Sequence, residues 1–264
     1  MFCIGGQVVH VNDEVHLVDS SGKVLNVAKN DGTKVLRTTP TGVGEATVPG
    51  INIKFTFAHL TNTNTNNSPI GTFTSAWSVP LPPPKYNNQT LALSSSMMSA
   101  NGDAILQLAL QYGHSAPGGG PYWTVASWYV VGGVAYHTNL VNVGTGDTLE
   151  GIIALDNRRS ASSGSTKYNY SCSFRNIGGT SLPVISDKEL VGASESFELY
   201  NVQSSDDYPP HSTVFYPINI RLDDGTAPAV AWTVVNGPPD GPTTTIDIQG
   251  ASDAEITFSS PNSP

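Results

Sequence analysis

The chain has 264 residues, a formal net charge of −9 and only 12% charged side chains. That length accommodates one large β domain or two small ones, either able to bury a sizeable core. The twelve Lys and Arg residues are scattered, so there is no basic stripe to neutralise phosphates or anionic lipid, and nucleic acid and membrane surfaces are not expected as partners.

Cys3 and Cys172 are the only cysteines, allowing at most one disulfide; free thiols are the expectation. The opening "MFCIGGQVVHVNDEVHLVD" has no basic segment followed by an apolar one, and no apolar run approaches a membrane span. As written the chain reads as cytosolic, with secretion only if a leader has been removed. Sequons at Asn66, Asn88 and Asn169 matter only in an exported protein.

In chain order, short strands are expected at "QVVHV", "VHLVD" and "KVLNVA", with "DSSG" and "KNDG" as turns. They make residues 1–50 an N-terminal β-hairpin extension, ending in the linker "TTPTGVGEATVPG". Residues 51–264 form the main body, opening with "INIKFTFAHL", a polar loop "TNTNTNNSPIG" and "TFTSAWSVP". Successive prolines in "LPPPKYNNQ" stop that strand, because they cannot donate to a ladder. Further strands are read at "DAILQLALQY", "YWTVASWYVV", "VAYHTNLVNV", "DTLEGIIALD", "KYNYSCSFRN", "ESFELYNV", "VFYPINIRL", "AVAWTVV", "TTIDIQG" and "AEITFSS". No window shows a helical stripe, so the fold class is all-β, an antiparallel sandwich of two sheets.

Alternation along a strand sorts the polar residues by face. In "GDAILQLALQYG", Leu106, Leu108, Leu110 and Tyr112 mark the core, and Gln107 and Gln111 stand on the opposite surface. In "ASESFELYNV", Phe197 and Leu199 mark the core, so Glu198 and Tyr200 share the open face, while Glu195 is expected at the rim near the strand's start. Acids three apart on opposite faces do not form the carboxylate pair of a retaining glycosidase. Trp128 and Tyr129 point to opposite faces, one packing and the other free to line a groove; Trp77 and Trp123 are open to either reading.

The ordered set "TFTSAWSVP", "GDAILQLALQYG", "YWTVASWYV", "VGTGDTLEG" and then an acidic strand resembles the glutamic peptidases, or eqolisins, over roughly residues 55 to 222. The resemblance implies a concanavalin-like or jelly-roll sandwich of two curved sheets, with one Gln and one Glu on the concave face. The family's Gln falls on Gln111 and its Glu on Glu198, with Glu195 the other match; its tryptophan falls on Met97, and the acid of its "AWYEW"-like strand on Val130. The implied chemistry is peptide hydrolysis at acidic pH. Glu198 acts as general base on water, and Gln111 orients the water and stabilises the oxyanion, without cofactor or metal. The ligand expected in the groove is a polypeptide.

A second reading is a non-catalytic lectin of the intracellular fungal kind, holding a glycan on the same face, since Asn, Ser, Gln and aromatic side chains suit sugar hydroxyls and apolar sugar faces. A third is a lyase or glycosidase with Glu150 of "DTLEG" as the second acid. The histidines lack metal-ligand spacing, and Asp206-Asp207 and Asp223-Asp224 read as solvated turns rather than a calcium site. No nucleophile elbow or phosphate-binding loop is present; "SAPGGGP" reads as a hairpin connection and "NRRSASSGST" as a polar loop.

Overall fold

The computed structural model describes residues 2–3, 6–29, 53–61, 68–160 and 166–261. The linker before residue 51, the sequon at Asn66, most of the loop "TNTNTNNSPIG" and the centre of "NRRSASSGST" lie outside the described residues. Nineteen strands are present among the described residues. They run β1 (Phe2–Cys3), β2 (Gly6–Val11), β3 (Glu14–Asp19), β4 (Val24–Lys29), β5 (Ile53–Thr61), β6 (Ile70–Ser78) and β7 (Thr90–Ser99). Next come β8 (Ala104–Ser115), β9 (Gly118–Val131), β10 (Val134–His137), β11 (Val141–Asn142), β12 (Thr148–Ser160) and β13 (Thr166–Phe174). The last are β14 (Leu182–Ser186), β15 (Leu190–Tyr200), β16 (Thr213–Leu222), β17 (Thr233–Asn236), β18 (Thr243–Ile248) and β19 (Ala254–Ser259).

They form two sheets in a sandwich. The first has the order β1-β10-β9-β8-β7-β15-β5-β17, with β11 also on β9; the second runs β18-β19-β16-β6-β12-β13-β14-β2-β3-β4. Pairing is antiparallel except for β1 on β10 and β2 on β14. The N-terminal hairpins therefore lengthen the second sheet, while β1 crosses to the first. Val8, Val15 and Leu17 from these hairpins join the same core cluster as the rest of the chain.

Alternation decides what lies between the sheets. Leu106, Leu108 and Leu110 of β8 and Leu91 and Leu93 of β7 face Phe73, Trp77, Ile153 and Phe174 of the second sheet, all buried. The two layers meet closely: a Cβ added to Gly151 on β12 would lie 2.7 Å from Leu108 Cδ1, so a larger residue there would push the sheets apart. Trp77 and Trp123, open to either reading in the sequence, are both core residues. Cys172 is a free, buried thiol whose pKa burial raises to about 12.

A polar chain crosses this core. Asp187 Oδ1 accepts from His10 Nδ1 at 2.6 Å; His10 Nε2 lies 2.8 Å from the Tyr129 hydroxyl, which lies 3.1 Å from Ser186 Oγ. With Asp187 ionised, the imidazole donates through Nδ1 and accepts from Tyr129 through Nε2, so every member has a partner. Burial raises the Asp187 carboxyl, but the His10 hydrogen bond and the charges of Lys188 and Lys167 outweigh it and leave the pKa below the usual carboxylate range. Replacing His10 with Leu leaves Asp187 and Tyr129 without this partner; the expected cost is about 2–4 kcal/mol, read as a lower urea midpoint at neutral pH. Because the Asp187 pKa is depressed, its contribution is complete above the unfolded-state value and fades as pH falls through the folded one.

Candidate functional site

The outer face of the first sheet carries the residues singled out in the sequence. Cross-strand partners share a face, so the register places them directly. Gln111 on β8 and Glu198 on β15 both partner Ala92 on β7. The row continues to Thr124 on β9 and Phe55 on β5. With neighbouring strands about 4.8 Å apart, the two Cα atoms stand about 10 Å from each other with only an alanine methyl between them.

The next row along the strands holds Ala126, Ala109, Ser94, Ser196 and Phe57, and the one after it Trp128, Gln107, Ser96, Ser194 and His59. The middle strands, β7 and β15, thus present Ala92, Ser94, Ser96, Ser194, Ser196 and Glu198, while β8 and β9 carry Gln107, Gln111 and Trp128 with Ala109 and Ala126 between them, and β5 carries Phe55, Phe57 and His59. Phe55 and Phe57 have ring centroids 6.1 Å apart, and Phe57 and His59 5.6 Å. The two amides stand on β8 and the Phe55, Phe57 and His59 rings on β5, with small side chains of β7 and β15 between them. Ala109, Ala126 and Phe57 are buried yet stand outside the core cluster, so the centre of this face is closed to solvent.

Glu198 is 8% exposed. Its Oε2 accepts from the half-buried Tyr200 hydroxyl at 2.6 Å, and the Ser196 hydroxyl reaches Oε1 at 3.4 Å, which together fix the carboxylate's rotamer. Gln111, 5% exposed, turns its head group toward the β8–β9 hairpin. Its Nε2 donates to the Gly113 carbonyl at 2.9 Å and the Gly118 carbonyl at 3.3 Å, and its Oε1 accepts from Ser115 at 2.7 Å. Gly119 belongs to this arrangement: φ is +102°, and a Cβ there would come within 2.7 Å of Gln111 Nε2. The segment "SAPGGGP", read as a hairpin connection, is one: β8 ends at Ser115, residues 116–117 turn, and β9 starts at Gly118 beside Gln111.

Gln107 is buried on the same face, two pleats from Gln111, and its Oε1 has no hydrogen-bond partner. Trp128 is the half-buried outer residue of its pair and lies 4.9 Å from the His137 ring, whereas Tyr129 is core. Val130 also faces outward, in the row of Ile105, Met98 and Gly192; Met97 points into the core.

Two expectations need correction. Glu195 is not at a rim: β15 begins at Leu190, which puts this acid at mid-strand between the sheets with no exposure. Ser95 Oγ donates to its Oε2 at 2.7 Å, its Oε1 has no partner, and the nearby Ser75 Oγ is likewise without one. Burial raises its pKa to about 8, and the hydrogen bond from Ser95 lowers it only in part. Glu150 is exposed on β12 of the second sheet, whose strand partners are β6 and β13, so it does not adjoin the Gln111–Glu198 row.

Among the described residues no group of three or more His, Cys, Asp or Glu side chains is placed to hold a metal ion. Asp207 spends its carboxylate on the backbone N–H groups of Gln203 and Ser204 and on Asn87, and Asp224 on Thr226. No described helix is long and apolar enough to cross a membrane.

No protein-family model and no curated protein matches the chain. Among solved structures it is similar to scytalido-glutamic peptidase bound to a peptide-based transition-state analogue, at 14% identity and TM-score 0.49, over 80% of this chain and 99% of that one. A second structure of that peptidase, with a transition-state analogue inhibitor, is 12% identical with TM-score 0.49 over the same shares. SCP-B, a member of the eqolisin family of peptidases in complex with the tripeptide Ala-Ile-His, is 14% identical with TM-score 0.46, again over 80% and 99%.

Proposed function

We propose that the chain is a peptide hydrolase of the glutamic-peptidase type, working at acidic pH on an extended polypeptide laid over the outer face of the first sheet. The observation that carries this reading is the shared partner: Gln111 and Glu198, the two residues picked out by the motif order, flank Ala92 in one row on one face. The ordered motifs and the strand register are separate lines of support, since the register depends on pairing that the motifs do not contain.

The separation of about 10 Å between the two backbones is the scale on which two side chains can act on one water and one peptide carbonyl. Glu198 takes a proton from the water as its oxygen attacks the carbonyl carbon. Gln111 keeps its bond to Gly113 and exchanges the longer one to Gly118 for the developing oxyanion, which its NH₂ stabilises. The proton on Glu198 then passes to the leaving amine as the C–N bond breaks, restoring the carboxylate. Tyr200 holds the acid in place throughout.

The test is cleavage of an acid-denatured protein, followed by mass spectrometry of the fragments. Replacing Gln111 with Ala removes the oxyanion donor, and kcat is expected to fall about 100- to 1000-fold. Absence of cleavage by the intact chain at any acidic pH, or unchanged kcat in the variant, overturns the reading.

A further inference from the structure

Two outward-facing polar atoms in one row lack partners. Gln107 Oε1 on β8 and His59 Nδ1 on β5 are each shut off from solvent with no hydrogen bond. Ser96 and Ser194 stand between them in register, so the row reads Gln107, Ser96, Ser194, His59. A buried polar atom left unpaired is costly; others, Ser75 Oγ and Glu195 Oε1 among them, lie elsewhere in the molecule, whereas these two share one row of the outer face. Burial lowers the His59 pKa, which disfavours a charged ring in this row.

We infer that this row is a hydrogen-bonding subsite for an uncharged hydroxyl or carboxamide side chain of the polypeptide; the inference rests on the reading of the face given above. A hydroxyl or primary amide supplies a donor to Gln107 Oε1 and meets the serine hydroxyls or the imidazole with its remaining capacity. No carboxylate belongs to the row, so an ammonium or guanidinium entering it would be desolvated without a counter-charge. An aliphatic side chain would leave both orphan atoms unpaired. Because both atoms are shut off from solvent, whatever covers them must move to admit the ligand.

The row's place gives the position recognised. Gln107 is four residues from Gln111 along β8, and Ser194 four from Glu198 along β15, a span of about 13 Å. An extended peptide running along these strands covers that span in four residues. The residue read by the subsite is therefore four places from the scissile bond.

The experiment measures binding rather than turnover. Peptides that differ only by Thr or Val at each position out to four residues on either side of the cleavage site are titrated into the full chain carrying Glu198→Gln, by calorimetry. Thr is expected to bind about tenfold tighter than Val at one position, four residues from the bond. Adding Gln107→Met, close to isosteric and checked for an unchanged melt, is expected to bring the ratio to within twofold of unity. His59→Phe, which keeps the ring wall, serves as the second variant if Gln107→Met fails to fold. Equal affinities for every Thr/Val pair, or a ratio that survives in the folded variant, overturn the subsite. If instead the ratio behaves as expected while Gln111→Ala keeps the parental kcat, the subsite stands and the catalytic reading alone is lost.

Discussion

Replacing Glu198 with Gln is expected to lower kcat for peptide hydrolysis at least a thousandfold, about 4 kcal/mol of transition-state stabilisation, with a much smaller change in KM. The amide matches the carboxylate in shape and still accepts from the Tyr200 hydroxyl through its carbonyl oxygen, so the local structure is retained. It no longer takes a proton from water at any working pH, so the general-base step is what it loses. Glu195→Gln is the matched control, the same exchange on the same strand three residues away but pointing into the core, and its kcat is expected to stay within a few-fold of the parent. Steady-state kinetics on one fluorogenic peptide settles both. A Glu198→Gln enzyme with parental kcat, or a Glu195→Gln enzyme that is the dead one, would reverse the assignment.

The second large effect concerns stability rather than turnover, and it belongs to Glu195. Its pKa rises from an ordinary value of 4.5 in the unfolded chain to about 8 in the folded one, because burial disfavours the charge and only hydroxyls face it. Between those values the folded state holds a proton that the unfolded state has released, so stability declines as pH rises, by about 1.4 kcal/mol per pH unit. Its contribution is complete below the lower value and gone above the upper one. While protonated, the acid has an O–H to offer the Ser75 hydroxyl, whose oxygen is otherwise unpaired beside the unpaired Glu195 Oε1. Glu195→Gln carries no charge at any pH. It is expected to melt close to the parent at pH 4 and about 5–10 °C above it at pH 9, a difference of a few kcal/mol for a chain of this size. Calorimetric melts across that range check it; parallel curves for parent and variant would place the acid in a polar environment after all.

The sequence revealed the fold class and the facing of its strongest strands because those strands alternate. Leu106, Leu108 and Leu110 announce the inner side of β8, and with it the outer position of Gln107 and Gln111; Phe197 and Leu199 do the same for Glu198. Where alternation is absent, the reading failed. β7 was missed altogether, because "TLALSSSMMS" puts Ser94, Ser95 and Ser96 in succession across both faces, yet this strand supplies half of the site's floor. The start of β15 was lost for a similar reason: Gly192, Ala193 and Ser194 carry no large side chain to set a period, so Glu195 was taken for a terminal residue. Glu150 was correctly alternating, but which sheet a strand joins is a long-range matter that local pattern does not encode. His59 could have been found by continuing the parity argument through "FTFAHL", where Phe55, Phe57 and His59 share a face.

The chain begins by entering both layers: β1 lies on β10 and β2 on β14, partners more than 130 and 170 residues further along. During synthesis β1 and β2 therefore leave the ribosome long before β10 and β14 exist, and the apolar Val8, Val15 and Leu17 wait for cover until those later strands have followed. Of the described strands, those made before the others are among the last to be seated, so their apolar side chains depend on late-made partners for cover.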